Sequence, residues 1–179
     1  QEQGFLMKQL AQYVKDSLTK IEFGEAGTRA YRLSNWKASV TLELEPLDPQ
    51  VSLWWQWCCE QAEHTYDKFL ATSIQKRATI WPTVSMPLAW RQIDVWMRPK
   101  LLAAIPNHFV SIMKDRTRIS GIPDPTHVIL YHMLKEFAPG SPQEKDNLYN
   151  GIRYPNVCTS ARSALLSLGR WKENVRRCA

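Results

Sequence analysis

The chain has 179 residues, of which 44% are hydrophobic, and a formal net charge of +6 at pH 7. This composition indicates one globular domain or two small ones and argues against a disordered polypeptide. No apolar run approaches the roughly 20 residues that span a bilayer, so we expect a soluble protein without a membrane partner. The basic balance favours acidic partners, and nucleic acid is one candidate. Gln1 and the Cys178–Ala179 end suggest a piece of a longer protein.

Two helices are predicted in the first fifty residues. Phe5, Leu6 and Leu10 begin a helical spacing of apolar residues, which predicts an amphipathic helix over 3–20. Ser34-Asn35 can cap the start of a second helix, and Pro46 would end that helix. Residues 40–44 also alternate like a short strand, but we favour helix.

The stretch 49–71 predicts a long buried helix. Asp48 can accept from free amides of the first turn, and Pro49 suits the first helical position. Apolar residues then follow at three- and four-residue steps, forming one stripe. Trp54 and Trp57 lie off that stripe, so we expect them to contact either the first helix or a neighbouring subunit.

The middle of the chain is predicted as a loop followed by helices. Residues 73–86 form the loop, and the helix opened by Pro87 should kink or break near 96–98 because Pro99 lies inside it. A short helix over 107–114 precedes a turn at 120–123. Asp124 and Pro125 then repeat the start signal of the long helix.

The last third completes an all-α prediction. A short helix is expected over 142–150, after Ser141 and Pro142, and Thr159 or Ser160 caps a final helix. The four cysteines lack the spacing of a zinc site, so we interpret them as reduced, buried residues of an intracellular protein.

No catalytic motif is found in the sequence. The glycines form no phosphate-binding loop, and the GxSxG, HExxH and CxxC motifs are missing. Glu60, His64 and Asp67 share one helix face, which we interpret as solvated. His127, Tyr131 and His132 on one helix are weak support for a metal site. We therefore predict no enzyme, cofactor, metal or small-molecule substrate.

Basic residues on the last helix are the candidate RNA-binding residues. They are Arg162, Arg170, Lys172, Arg176 and Arg177. The alternative, which we favour, is that positive charge near the helix end complements the helix dipole. Phosphate binding usually involves a denser cluster and aromatic stacking platforms.

The order of several signals resembles a known family. The series comprises Trp36, Trp54-Trp55, Tyr66, Arg91, the segment Leu101-Leu102-Ala103-Ala104-Ile105-Pro106, Ile129-Leu130, Leu134, Phe137-Ala138-Pro139-Gly140, Glu144-Lys145, Ala164-Leu165, Leu168 and Arg170-Trp171-Lys172. It is similar to the Gag capsid region of copia-like LTR retrotransposons, closest to the Gag-like polyproteins of dinoflagellates. The resemblance covers residues 31 to 177.

This resemblance implies a two-lobed helical capsid fold, with lobes over 1–105 and 106–179. It implies self-association into cytoplasmic virus-like particles around RNA. In such proteins the RNA is bound mainly by a downstream zinc knuckle, which is absent from this sequence. Candidate self-association residues are Leu6, Leu10, Trp81, Leu148, Tyr149 and Trp171; the alternative for each is packing within the chain. A basic nucleic-acid-binding module without assembly, or a domesticated Gag, is the alternative function.

Overall fold

The computed structural model describes residues 18–22, 29–138, 149–154 and 157–178. The α-helices with both ends in these ranges are α1 (Arg29–Leu44), α2 (Pro49–Ala71), α3 (Leu88–Ala104), α4 (Asn107–Ser120), α5 (Thr126–Phe137) and α6 (Ala161–Cys178). Residues 149–153 are helical as well, so the helix predicted over 142–150 ends later than expected. The described part contains no β-strand, which confirms the all-α prediction. The predicted helices over 3–20 and 142–150 lie largely outside the described residues.

Helix α1 begins at Arg29, before the predicted cap at Ser34-Asn35, and ends at Leu44 as expected from Pro46. Its buried residues are Leu33, Trp36, Val40 and Leu44, which follow helical spacing. Leu42, which a strand would place beside Val40 and Leu44, is 69% exposed. The helix therefore follows the three- and four-residue pattern, and the strand alternative is wrong.

Helix α2 starts as predicted. The carboxylate of Asp48 accepts from the backbone N–H of Gln50 at 2.7 Å, and Pro49 occupies the first turn. Trp54 is buried. Trp57 packs against Trp90 of α3 and His127 of α5, with ring centroids 5.8 and 5.0 Å away. Trp57 thus has partners on α3 and α5, whereas the predicted first helix lies largely outside the described residues and the expected contact with it stays a prediction.

The connection between α2 and α3 contains a 3-10 helix, Ile74–Thr79, where the sequence predicted only a loop. Helix α3 then runs unbroken through Pro99, so of the predicted kink or break the break is wrong and the kink stays a prediction. Pro99 is exposed. On that side of the helix, the carbonyl that loses its hydrogen-bond partner can be hydrated, which makes the proline tolerable.

Helix α4 is longer than predicted. It buries Phe109 and Met113 and continues to Ser120 with largely exposed residues, so its second half lacks the apolar stripe that reveals a helix in sequence. Gly121 ends it in the left-handed conformation, with φ of 72°, and donates its N–H to the carbonyl of Thr117 at 2.8 Å. Glycine adopts this conformation without steric penalty.

Helix α5 begins where predicted, but Asp124 does not cap it. The Asp124 carboxylate instead pairs with Arg116 of α4 at 2.7 Å. The N–H of Thr126 is bound by Asp94 of α3, at 3.1 Å. Asp94 is 3% exposed and also pairs with Arg98. The cap of α5 therefore comes from another helix.

The core is one cluster of buried side chains to which α1 to α5 all contribute, and α2 packs most extensively against α5. Residues after position 105 in this cluster include Phe109, Met113, Ile129, Leu130, Tyr131, Met133 and Phe137. The division into lobes at 105 stays a prediction.

Helix α6 lies against α1. Its cap is Ser160, whose hydroxyl accepts from the N–H of Ser163 at 3.2 Å, as predicted. Gly169 allows the close approach: a Cβ there would lie 2.6 Å from the Tyr31 hydroxyl oxygen.

Cys58 and Cys59 are reduced thiols, and Cys58 is buried. Cys158 is exposed, so the prediction of buried cysteines is wrong there.

Candidate interaction surfaces

Helix α6 carries an exposed apolar face. We define this face by Leu165, Leu168, Trp171 and Val175, which are 72%, 48%, 38% and 37% exposed. At 100° per residue these four positions span about 120° of the helix circumference. Gly169, which meets Tyr31 of α1, lies about 100° from the middle of this arc. The middle of the face is therefore turned aside from α1, and its four side chains are exposed.

The predicted basic residues do not form one stripe on α6. Arg162 and Lys172 are exposed, and Arg170 is partly buried. At 100° per residue Arg170 and Lys172 lie about 160° apart around the helix, whereas Arg162, Lys172 and Arg176 fall within about 80°. The backbone of Arg176 and Arg177 belongs to α6, but their side chains lie outside the described residues.

The predicted self-association residues fall in different places. Tyr149 is 55% exposed, and the indole N–H of Trp171 donates to the carbonyl of Ile152 at 3.3 Å. Tyr149 and Trp171 thus belong to one C-terminal neighbourhood. Trp81 lies elsewhere, next to α4 and α5. Leu6, Leu10 and Leu148 lie outside the described residues.

Trp81 belongs to a group that the sequence did not reveal. We call this group the cation–aromatic cluster; its members are Phe69, Arg77, Trp81, Arg116, Tyr131, His132 and Lys135. The Arg116 Cζ lies 4.2 Å from the centre of the Trp81 ring, and the His132 ring lies 5.0 Å from it. The Tyr131 hydroxyl donates to the carbonyl of Ile80 at 2.9 Å and so holds the Trp81 loop against α5.

The electrostatics of this cluster are dominated by positive charge. Burial, the main cause, together with Arg116 and Lys135, lowers the pKa of His132 to about 4. Burial and the charge of Arg116 also lower the pKa of Lys135. At neutral pH His132 is uncharged, and Arg77, Arg116 and Lys135 carry the charge.

A second polar group lies within the core, around Asp94. The rings of His127 and Trp57 are in contact there, and burial, opposed mainly by Asp94, lowers the pKa of His127. Burial raises the pKa of the Cys58 thiol, so this thiol is neutral and a poor nucleophile. This group of side chains, with Asp94 on α3 and His127 on α5, is suited to holding the two helices together.

Three further findings concern metals, membranes and known proteins. The part of the chain that the structure describes contains no cluster of three His, Cys, Asp or Glu side chains able to share a metal ion. Within the described ranges, each helix is too short or too polar to cross a bilayer. Comparisons with protein-family models, curated proteins and solved structures give no significant match.

Proposed function

We propose that the chain is a structural, Gag-like capsid protein that self-associates into virus-like particles packaging retrotransposon RNA inside the cell. The observation that carries the proposal is the apolar face of α6. An exposed apolar patch on a soluble protein commonly marks a contact surface. A second copy of the chain offers the same face, as a two-fold contact requires.

Weak contacts are sufficient for such an assembly. Each copy in a shell contacts several others, so modest affinities are multiplied by valency. The proposal includes a two-lobed capsid-like arrangement of the helices, with Tyr149 and Trp171 in the contacting C-terminal part. The resemblance of residues 31 to 177 to Gag capsid regions supports it.

The test is the state of association. Sedimentation velocity and electron microscopy of concentrated protein at varied salt should show dimers or particles. Leu165→Glu combined with Leu168→Glu places charges on the α6 face and should give a monomer. Leu88→Glu is the matched control, because Leu88 is 77% exposed on α3 and outside that face.

A strictly monomeric wild-type chain under every condition would contradict the proposal. If that monomer also bound RNA, and binding were lost on replacing Arg170, Lys172, Arg176 and Arg177 with Gln, the nucleic-acid-binding alternative would take its place.

A further inference from the structure

Three cations and three aromatic rings form a continuous row across one side of the helical body. Arg77 lies over Phe69 with Cζ 5.0 Å from the ring centre. The Lys135 Nζ lies 5.2 Å from Phe69 and 5.3 Å from Tyr131. The Tyr131 ring is 6.3 Å from that of Trp81, and the Arg116 Cζ lies over one face of Trp81. The row thus joins the 3-10 helix, α2, α5, the Trp81 loop and α4.

The charges in this row are incompletely balanced. Arg116 has a carboxylate partner, Asp124. Arg77 donates to two backbone carbonyls, those of Thr72 and Leu70, at 3.0 and 3.1 Å. Among the described residues, no carboxylate pairs with Lys135, whose ammonium lies over the rings of Phe69 and Tyr131. The row therefore carries more positive than negative charge, and an anion next to Lys135 would offset it.

The row offers a nucleic acid both a point charge for a phosphate and a ring for a base. The two-pronged guanidinium of arginine binds carboxylates and phosphates alike. Here the guanidinium of Arg116 is bound to Asp124, and that of Arg77 to backbone carbonyls. Lys135 supplies a point charge, which serves phosphate. Trp81 is 37% exposed, and the part of its ring that Arg116 leaves open adds a stacking surface for a base, which an acidic peptide would not use.

We propose that the cation–aromatic cluster binds single-stranded RNA, with a base stacked on Trp81 and a phosphodiester beside Lys135. This inference deepens the RNA-packaging part of the proposed function and places RNA on the helical body rather than on α6. It does not require that copies of the chain associate.

The experiment measures binding of a short fluorescein-labelled oligouridylate by anisotropy, at several salt concentrations. The background is the Leu165→Glu/Leu168→Glu chain, so that loss of assembly and loss of RNA binding are measured separately. Lys135→Gln should weaken binding and reduce the dependence of log K on log salt by about 0.7 for one lost phosphate contact. Trp81→Ala should weaken it about tenfold or more, and Trp81→Phe much less.

Two controls make the result specific. Lys114→Gln removes an equal charge from an exposed position on α4, two residues from Arg116, and should leave affinity within about twofold. Circular dichroism establishes that each variant is folded. Unlabelled poly-glutamate should compete poorly, because it offers charge without bases.

Two results would overturn the inference. The first is an equal affinity for the oligouridylate in the three variants Lys135→Gln, Trp81→Ala and Lys114→Gln, which would mean that RNA binds elsewhere. The second is binding of poly-glutamate as tight as that of the oligouridylate, with the same sensitivity to Lys135→Gln, which would assign the cluster to an acidic protein.

Discussion

The carboxylate of Asp94 on α3 accepts a hydrogen bond from the backbone N–H of Thr126, the first residue of α5, with Oδ1 and N 3.1 Å apart. The same carboxylate pairs with Arg98 at 3.3 Å. A helix start leaves amides without partners inside the helix, and a side-chain oxygen usually supplies one from the preceding residue. Here the acceptor is 32 residues away in sequence, so it joins two helices.

Asp94→Ala should lower the free energy of unfolding by about 2–4 kcal/mol, because it removes a helix cap and leaves a partly buried guanidinium without its partner. Asp94→Asn should cost less, since the amide oxygen can still accept from Thr126. Urea unfolding followed by tryptophan fluorescence measures both. Asp67→Ala, at an exposed position of α2, is the control; equal midpoints for Asp67→Ala and Asp94→Ala would contradict the prediction.

His132 should make stability depend on pH. Its pKa lies near 4 in the folded chain, against 6.5 ordinarily, chiefly through burial. The unfolded chain therefore binds a proton near pH 6.5 that the folded chain takes up only near pH 4, and stability falls across that window as pH drops.

His132→Gln and His132→Phe should both reduce this slope by up to one proton, whatever each does to stability at neutral pH. Urea unfolding from about pH 7 to about pH 4.5 measures the slope. A slope equal to that of the wild type in both variants would show that His132 is not the group responsible.

Gly169→Ala should separate α6 from α1. The added Cβ would lie 2.6 Å from the Tyr31 hydroxyl oxygen and 2.9 Å from its ring carbon Cε2. Overpacking a core costs about 1–3 kcal/mol; here the Tyr31 side chain has to move, and the helix preference of alanine over glycine offsets about 1 kcal/mol of the cost. Amide exchange over 161–178 should accelerate while exchange in α2 stays unchanged. In a Tyr31→Ala background the clash is removed, and the helix preference of alanine should slow this exchange instead; an acceleration there would refute the contact.

Gly121→Ala should destabilise through backbone conformation alone. A Cβ added at Gly121 would meet no atom within 4 Å, but φ is 72°. The expected cost is about 1 kcal/mol in the free energy of unfolding, and Gly121→Asn should cost less, because asparagine tolerates this conformation better. Thermal unfolding of the two variants checks the order, and a cost for asparagine as large as for alanine would contradict it.

The predictions from sequence succeeded where the signal was local. Asp48, Pro49 and the apolar stripe of α2 all lie within one segment, so its start and buried face could be read directly. The same holds for Ser160 at the start of α6. They failed in the second half of α4, where exposed polar residues continue the helix without an apolar pattern.

The cation–aromatic cluster was missed for a different reason. Arg77, Arg116 and Lys135 come from three separate elements, and no spacing in the sequence links them. Trp81 was identified as a candidate contact residue, but its partners could not be. The cap that Asp94 provides for α5 was hidden in the same way, since it exists only once α3 and α5 are packed.

The 23 residues of α2 have a mechanical consequence. At 1.5 Å per residue the helix is about 35 Å long, close to the diameter of a small domain. Insertion of one residue at its middle would turn everything beyond it by about 100°. Phe69 would then leave Tyr131 and Lys135, while Trp54 and Trp55 stayed in place. The length of helix α2 and its rotation about its own axis thus both set how the tryptophans in its first half are aligned with Phe69 near its end.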